Sequence, residues 1–563
     1  MSRARASQKI DALFAPGGEL QKHLKEFEHR AEQVEVANVI EEAFTSPVHC
    51  MVEAGTGVGK TMAYLIPAIR AIGKGKTVVI STHTISLQEQ LISRDIPLAA
   101  SLFPEVDVTA AVMKGRGNYL CKQDLDSAED DIFMSVDPTF TEVKKWARRT
   151  ETGDIADLPF KYDSWFEIAA NADTCRQKEC NYYDNCFYYK VRRAASDANL
   201  IVVNHALFLT DLIVRKEEPM AAILPNYDYV VLDEAHHLED VATRTFGLEI
   251  GNREIPRLID RVKRTKNVDL NPERLAALDS LNEQLFGGFQ SDRMEFFFDE
   301  ALNAEEAKVA DSIAGQMLIS LEAVQKELME AAKAGEGSVK DRLNGLARTS
   351  ARLREGVDSL MFGTEPNYIR WGQTGATRNS KMRSRGQQIV RTSLYYTPIQ
   401  VGPLLAEQLW SSVGSVVLTS ATLSNSGAFS YLRQRLGLPD SAIEKVVGSP
   451  FDYKSNAILY VPGDLPAPPK VPDDRYTQLV ADEIERIINL TEGRAFVLFT
   501  SRRALTNVHE LLESRLPYPI FLQGSQPPGM LVDAFRRSGN GCLFGLATFW
   551  EGVWALGVPG SRA

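Results

Sequence analysis

Ala54-Gly55-Thr56-Gly57-Val58-Gly59-Lys60-Thr61 decides how this chain is read. Met51-Val52-Glu53 leads into it, and Met62-Ala63-Tyr64-Leu65-Ile66 leaves it with helical character. A glycine-rich turn that opens a helix presents backbone N–H groups and the positive helix end to phosphate oxygens. Gly55, Gly57 and Gly59 supply the backbone freedom for close approach, with Thr56 and Val58 completing the cradle. Lys60 is expected to reach the β- and γ-phosphates of ATP and Thr61 to hold Mg²⁺. Ala54 stands where the strict pattern has glycine. A chance glycine turn is the alternative, and a second motif weighs against it. Tyr229-Val230-Val231-Leu232 reads as a buried parallel strand. Asp233-Glu234-Ala235-His236 follows at its C-terminal end, where α/β sheets place ligands. Asp233 is expected to orient Mg²⁺ through water and Glu234 to polarise the attacking water. His236 joins Lys60, Thr61, Asp233 and Glu234 as the candidate catalytic set. Alone, the tetrapeptide is an ordinary helix start; behind an apolar strand and a phosphate loop it predicts phosphoryl chemistry.

The bulk composition bounds the rest. The chain has 563 residues, 44% hydrophobic and 24% charged, the balance of a soluble globular protein. Length alone allows roughly three to four domains. No apolar run reaches the roughly 18 residues needed to span a bilayer. Met1 to Leu20 carries Arg3 and Arg5 but no apolar segment of a secretory signal. These features predict a cytoplasmic protein without a membrane partner. Six cysteines in such a chain point to metal binding or catalysis before a disulfide framework. The net charge of -11 opposes nucleic-acid binding globally, but an acidic protein can carry a local basic groove. Basic clusters occur at Lys144, Lys145, Arg148 and Arg149; at Lys190, Arg192 and Arg193; at Arg261, Lys263, Arg264 and Lys266; and at Arg378, Lys381, Arg383 and Arg385. Each alone reads as solvated surface.

Further motifs appear in a fixed order. Phe27-Glu28-His29-Arg30 with Gln33 precedes the phosphate loop. Ser81-Thr82-His83-Thr84 with Leu87-Gln88-Glu89-Gln90 follows it. Val416-Val417-Leu418-Thr419-Ser420-Ala421-Thr422-Leu423, Phe496-Val497-Leu498-Phe499-Thr500-Ser501 and Thr548-Phe549-Trp550-Glu551-Gly552-Val553 complete the series. Each is weak alone, but the ordered set resembles superfamily 2 helicases. The resemblance implies an adenine-reading role for Gln33 and DNA-backbone contact for the segment at Ser81. It implies a link between hydrolysis and DNA at Thr419-Ser420-Ala421-Thr422.

Four cysteines lie between the nucleotide motifs: Cys121, and Cys175-x4-Cys180-x5-Cys186 with Tyr182, Tyr183, Phe187, Tyr188 and Tyr189 interleaved. Four thiolates suit Zn²⁺ or an iron–sulfur cluster, and the spacing lacks the paired knuckles of a zinc ribbon. Chemistry alone leaves the metal open. Cys50 and Cys542 sit in apolar strand-like runs and read as core. The placement of the four cysteines, the context Gly115-Arg116-Gly117-Asn118-Tyr119-Leu120-Cys121, and Asn199-Leu200-Ile201-Val202-Val203-Asn204-His205-Ala206 resemble the DinG/YoaA type of the XPD-like helicases. That resemblance implies a [4Fe–4S] cluster on Cys121, Cys175, Cys180 and Cys186 and 5′ to 3′ movement on single-stranded or forked DNA. It also implies a monomer with replication or repair proteins as partners. The aromatics there either stack on bases or pack around the cluster.

The expected fold is α/β: two RecA-like P-loop motor domains, the second incomplete, with an iron–sulfur insertion and a mostly helical arch insertion. Residues 1–26 form an N-terminal extension, 27–112 the first part of motor domain 1, and 113–198 the cluster domain. Residues 199–247 return to the motor, 248–390 form the arch, 391–447 end motor domain 1, and 448–563 begin motor domain 2. No strand pattern is visible in 248–390. Ala304 to Leu360 is helical in period, with Met317, Leu318, Leu321, Val324 and Leu328 on one face. Gly335-Glu336-Gly337-Ser338 breaks it into two antiparallel helices; an isolated coiled-coil arm is the alternative. The chain stops at Ala563 without the Gln-x-x-Gly-Arg motif of the resembling helicases, so a poor ATPase is expected of it as written. Residues 1–26 are too few for the exonuclease domain of some DinG relatives, so no nuclease activity is expected. The competing readings are a catalytically weak iron–sulfur nucleic-acid-binding protein and a zinc-containing P-loop ATPase with a protein substrate.

Overall fold

The computed structural model describes residues 9–24, 27–129, 137–265, 270–289, 294–377, 389–469, 473–526 and 528–546. The motif at Thr548 and the basic residues Arg3, Arg5, Lys266, Arg378, Lys381, Arg383 and Arg385 lie outside them. The chain divides into two compact units, residues 1–83 with 94–448, and residues 84–93 with 449–563. Among the described residues no helix is long and apolar enough to cross a membrane.

Fourteen strands are described. In chain order they are β1 (Cys50–Ala54), β2 (Val78–Thr82), β3 (Ala110–Val112), β4 (Leu200–Asn204), β5 (Tyr229–Asp233), β6 (Leu248–Gly251), β7 (Glu295–Phe297), β8 (Tyr368–Thr377), β9 (Ile389–Pro398), β10 (Ser415–Ser420), β11 (Ile443–Val447), β12 (Ala495–Leu498), β13 (Ile520–Leu522) and β14 (Cys542–Gly545). Seven form one sheet in the order β11-β1-β10-β5-β2-β4-β3. All its pairs are parallel. Runs such as Val78-Val79-Ile80 and Leu200-Ile201-Val202-Val203 are fully buried, as strands covered on both faces must be. The register brings the chemistry together: Glu53 lies opposite Ser420, and Thr419 opposite Asp233. The ends of β1, β10 and β5 therefore open at one edge.

The cysteine region leaves this sheet after β3 and returns through β4. Its helices Lys122–Glu129, Pro138–Ala147, Trp165–Ile168 and Phe187–Ser196 pack Leu125, Phe140, Val143, Trp165, Ile168 and Tyr188 into a core continuous with the motor's. Cys121 is fixed by its backbone N–H donating to Ile168 O at 2.7 Å. A buried Lys114–Asp154 pair of 2.6 Å sits where the insertion begins.

The region after β5 has its own core. Helix Ala304–Ala334 starts with a capping box, Asn303 with Glu306, and turns at Gly335 into helix Gly337–Phe362. Met317, Leu321, Val324 and Leu328 are buried with Leu343, Leu346, Leu353 and Val357, and Leu318 is partly buried. Leu275, Leu278 and Leu285 of helix Pro272–Gly288 join the same core, so the pair is part of a packed body, not an isolated arm. The absence of a strand pattern in 248–390 is corrected by the structure: an antiparallel sheet β6-β9-β8-β7 accompanies the helices. Its long hairpin pairs Tyr368–Thr377 with Ile389–Pro398. Gly372, Gly375 and polar residues on both faces leave β8 without the alternation that announces a strand.

The second unit holds the parallel sheet β12-β14-β13. Helices Asp474–Leu490 and Arg502–Leu512 cover Phe544 and Cys542 through Ile488, Leu505, Val508 and Leu512. Cys50 and Cys542 are both fully buried, and burial pushes the Cys542 thiol up to about 11.

Candidate active site and cysteine pocket

The loop from Gly55 to Gly59 turns the end of β1 into helix Lys60–Ile72. Gly57 and Gly59 hold φ of +84° and +86°, the left-handed region that glycine enters without a Cβ penalty. At Gly59 the space is also taken: a Cβ would stand 2.2 Å from Gln33 Nε2. Gln33 Nε2 donates to Gly59 O at 2.9 Å, and Arg30 donates to Gly57 O. Both side chains therefore brace the phosphate loop.

Lys60 Nζ lies 3.5 Å from Glu234 Oε1. Glu234 has φ of +53°, a left-handed turn that is uncommon without glycine and collects at functional sites. Asp233 accepts from Tyr64 OH at 3.1 Å and from the Glu234 N–H at 3.0 Å. Burial, then the neighbouring Glu234 carboxylate, pushes the Asp233 carboxyl up to about 6, with Lys60 pulling the other way. His236 Nδ1 is 2.6 Å from Ser420 Oγ and 3.5 Å from Glu234 Oε2. Ser420 Oγ donates to Glu234 at 3.3 Å. Lys60, Asp233, Glu234, His236 and Ser420 thus share one edge of the sheet. Thr61 sits in the first turn of the helix that Lys60 opens.

Two participants escaped the sequence reading. Tyr64 lies one helical turn after Lys60 on the same face, and that spacing was the available signal. Glu53 is a carboxylate in an otherwise apolar strand. It accepts from the Leu423 N–H at 2.6 Å and Ser424 Oγ at 2.9 Å, tying the β10 turn to β1.

Cys121, Cys175, Cys180 and Cys186 line one pocket of about 770 Å³, counted to its open mouth, with Arg116, Lys122, Arg176 and Arg342 on its walls. No disulfide joins them. The Asp124 and Gln177 N–H groups each approach a sulfur, of Cys121 and Cys175, at 3.5 Å. Among the described residues no three His, Cys, Asp or Glu side chains are grouped to hold a single metal ion. Four thiols around shared space, with N–H groups on two of the sulfurs, are a donor set that would fit a multi-atom cluster; Asp124 and Asp341 also line the space, and Arg176 is paired with Asp341 at 2.8 Å. Phe187, Tyr188 and Tyr189 are buried in the core, and Tyr188 and Tyr189 also line this pocket, whereas Tyr182 and Tyr183 are half-buried. Packing is therefore the role of the first three.

Comparison with known proteins agrees with the site. The DEAD/DEAH box helicase family matches residues 31–133, the DEAD_2 family residues 163–255, and the helicase C-terminal domain family residues 484–554. The ATP-dependent DNA helicase YoaA of Escherichia coli K12 is 30% identical over 546 residues, covering 96% of this chain and 82% of its own. YoaA of Haemophilus influenzae is 30% identical over 565 residues, with coverage of 97% and 82%. The ATP-dependent helicase DinG of Mycobacterium tuberculosis H37Rv is 30% identical over 561 residues, with coverage of 94% and 80%. Among solved structures, one titled XPD_Helicase superposes with a TM-score of 0.49 at 15% identity, covering 92% of this chain and 80% of that one. The sequence relatives carry the assignment: this chain belongs to the DinG/YoaA family of ATP-dependent DNA helicases, enzymes that hydrolyse ATP.

Proposed function

We propose that the protein is a DNA helicase that moves 5′ to 3′ on single-stranded or forked DNA in replication or repair. It acts in the cytoplasm as a monomer, with a [4Fe–4S] cluster on Cys121, Cys175, Cys180 and Cys186. The observation that supports the motor reading is the convergence of Lys60, Asp233, Glu234, His236 and Ser420 at adjacent strand ends. The cysteine pocket supports the cluster. Direction and pathway rest on resemblance to the family.

The backbone N–H groups of Gly55, Thr56, Gly57, Val58 and Gly59 cradle the phosphates, and Lys60 turns from Glu234 to the γ-phosphate. Thr61 and Asp233 would hold Mg²⁺, which would supply neutralisation of phosphate charge. Glu234, released from Lys60, orients the attacking water. Ser420 and His236 sense its position and pass it to β10. When bound, an iron–sulfur cluster would cross-link the two halves of the insertion through four Fe–S bonds.

The test is Lys60→Ala, assayed for ATP hydrolysis and for unwinding of duplexes with 5′ or 3′ tails. Loss of the phosphate-facing cation lowers hydrolysis by about 10²-fold or more, while single-strand binding stays measurable. Preference for 3′-tailed duplexes in the unaltered protein would overturn the direction. Equal loss of DNA binding in the variant would point to misfolding and remove the support for Lys60.

A further inference from the structure

Four of the chain's eight histidines gather at one edge of the seven-stranded sheet, and the chemistry above uses only His236. His83 follows β2, His205 follows β4, and His236 and His237 follow β5; these strands are neighbours in the order β5-β2-β4. The His83 and His237 rings are stacked, with centroids 3.9 Å apart and planes 21° apart. His237 lies 3.9 Å, ring to ring, from His236. His83 lies 6.4 Å from His205. His205 is buried and bonded through Nδ1 to Ser81 Oγ at 2.7 Å. Burial, with His83 beside it, pushes His205 down to about 3, so its ring stays neutral and packs as an uncharged body. The His237 N–H also donates to Glu234 O at 3.2 Å, which fixes the ring to the turn that carries the carboxylate. Packed rings therefore run without a break from Glu234 through His236 and His237 to His83, the residue that follows β2.

Stacked planar rings on short side chains have few ways to yield, so displacement at one end is felt at the other. A turn that shifted when Lys60 left Glu234 for a phosphate would carry His237, whose ring is stacked on His83. We propose that His237, through its stack on His83, is a positioning residue that couples the nucleotide state at Glu234 to DNA binding by the segment starting at Ser81. The proposal rests on the reading of Glu234 as the residue facing the γ-phosphate and on the DNA contact that the family resemblance gives the segment at Ser81.

Coupling between two ligands is a ratio of affinities and needs no turnover to be measured. The dissociation constant for oligothymidylate is measured with and without a non-hydrolysable ATP analogue and Mg²⁺, in the full chain and in His237→Ala and His237→Phe. The unaltered protein is expected to show a ratio of about fivefold or more. His237→Ala brings that ratio to within about twofold of one, the effect of losing one ring–ring contact. Its affinity for each ligand alone stays near that of the unaltered protein, and His237→Phe, which keeps a stacking ring, restores the ratio. An unchanged ratio in His237→Ala overturns the proposal, as does a phenylalanine variant no better than alanine. Weakened binding of both ligands at a constant ratio assigns His237 a structural role and overturns it too. A protein that binds both ligands with no coupling overturns the relay alone; one that binds no nucleotide overturns the reading of the site.

Discussion

Asp233 carries a cost that its function explains. Its carboxyl is pushed up to about 6 by burial and by Glu234, from the ordinary aspartate value of 3.8. A carboxyl whose folded value is raised binds protons more tightly in the native state. The folded protein is therefore penalised as pH rises from about 4 to 6, and the full penalty persists above that range. Asp233→Asn removes it. Metal-free Asp233→Asn protein should melt about 2–4 °C higher than the unaltered protein at pH 8, with the gap closing below about pH 4, while Mg²⁺-dependent hydrolysis is lost. Equal melting temperatures at pH 8 would contradict the buried, ionised carboxylate. At this scale, legibility followed spacing. Lys60, Asp233 and Glu234 could be read because their chemistry fixes a short pattern. Glu53 could not, because its partners at Leu423 and Ser424 lie 370 and 371 residues away and meet it only through sheet register.

The elements divide in the same way. Helices Ala304–Ala334 and Gly337–Phe362 announced themselves because a one-sided apolar stripe repeats with the helical period, and glycine marks the turn. Strand β5 announced itself as a continuous apolar run. The hairpin of β8 and β9 did not, since its β8 strand is polar on both faces and its stability comes from pairing and from aromatic stacking. Trp371 stacks on Tyr395 with centroids 4.2 Å apart. Leu321 is fully buried between the two long helices, and Ser350 Oγ donates to its carbonyl at 2.9 Å. Leu321→Ala should destabilise this helical body by about 2–5 kcal/mol. Amide exchange in Ala304–Ala334 would accelerate, while exchange in β1 and β5 holds. Unchanged protection of that helix would show that the stripe does not support it.

Across the molecule, the α/β class and the motor family were readable because ordered motifs each demand a strand end or a helix start. The four cysteines were readable as residues that belong together, and the structure brings them to one pocket; four thiols suit zinc or iron, so the metal was not readable. A cluster on these four cysteines is the central claim of the proposed function, so the most direct measurement is the iron, sulfide and zinc content of protein purified without oxygen, with its visible spectrum. The account predicts about four irons and four sulfides per chain and a broad charge-transfer band, all lost when Cys121, Cys175, Cys180 or Cys186 is replaced by serine. Zinc alone, or no metal after anaerobic handling, would contradict it.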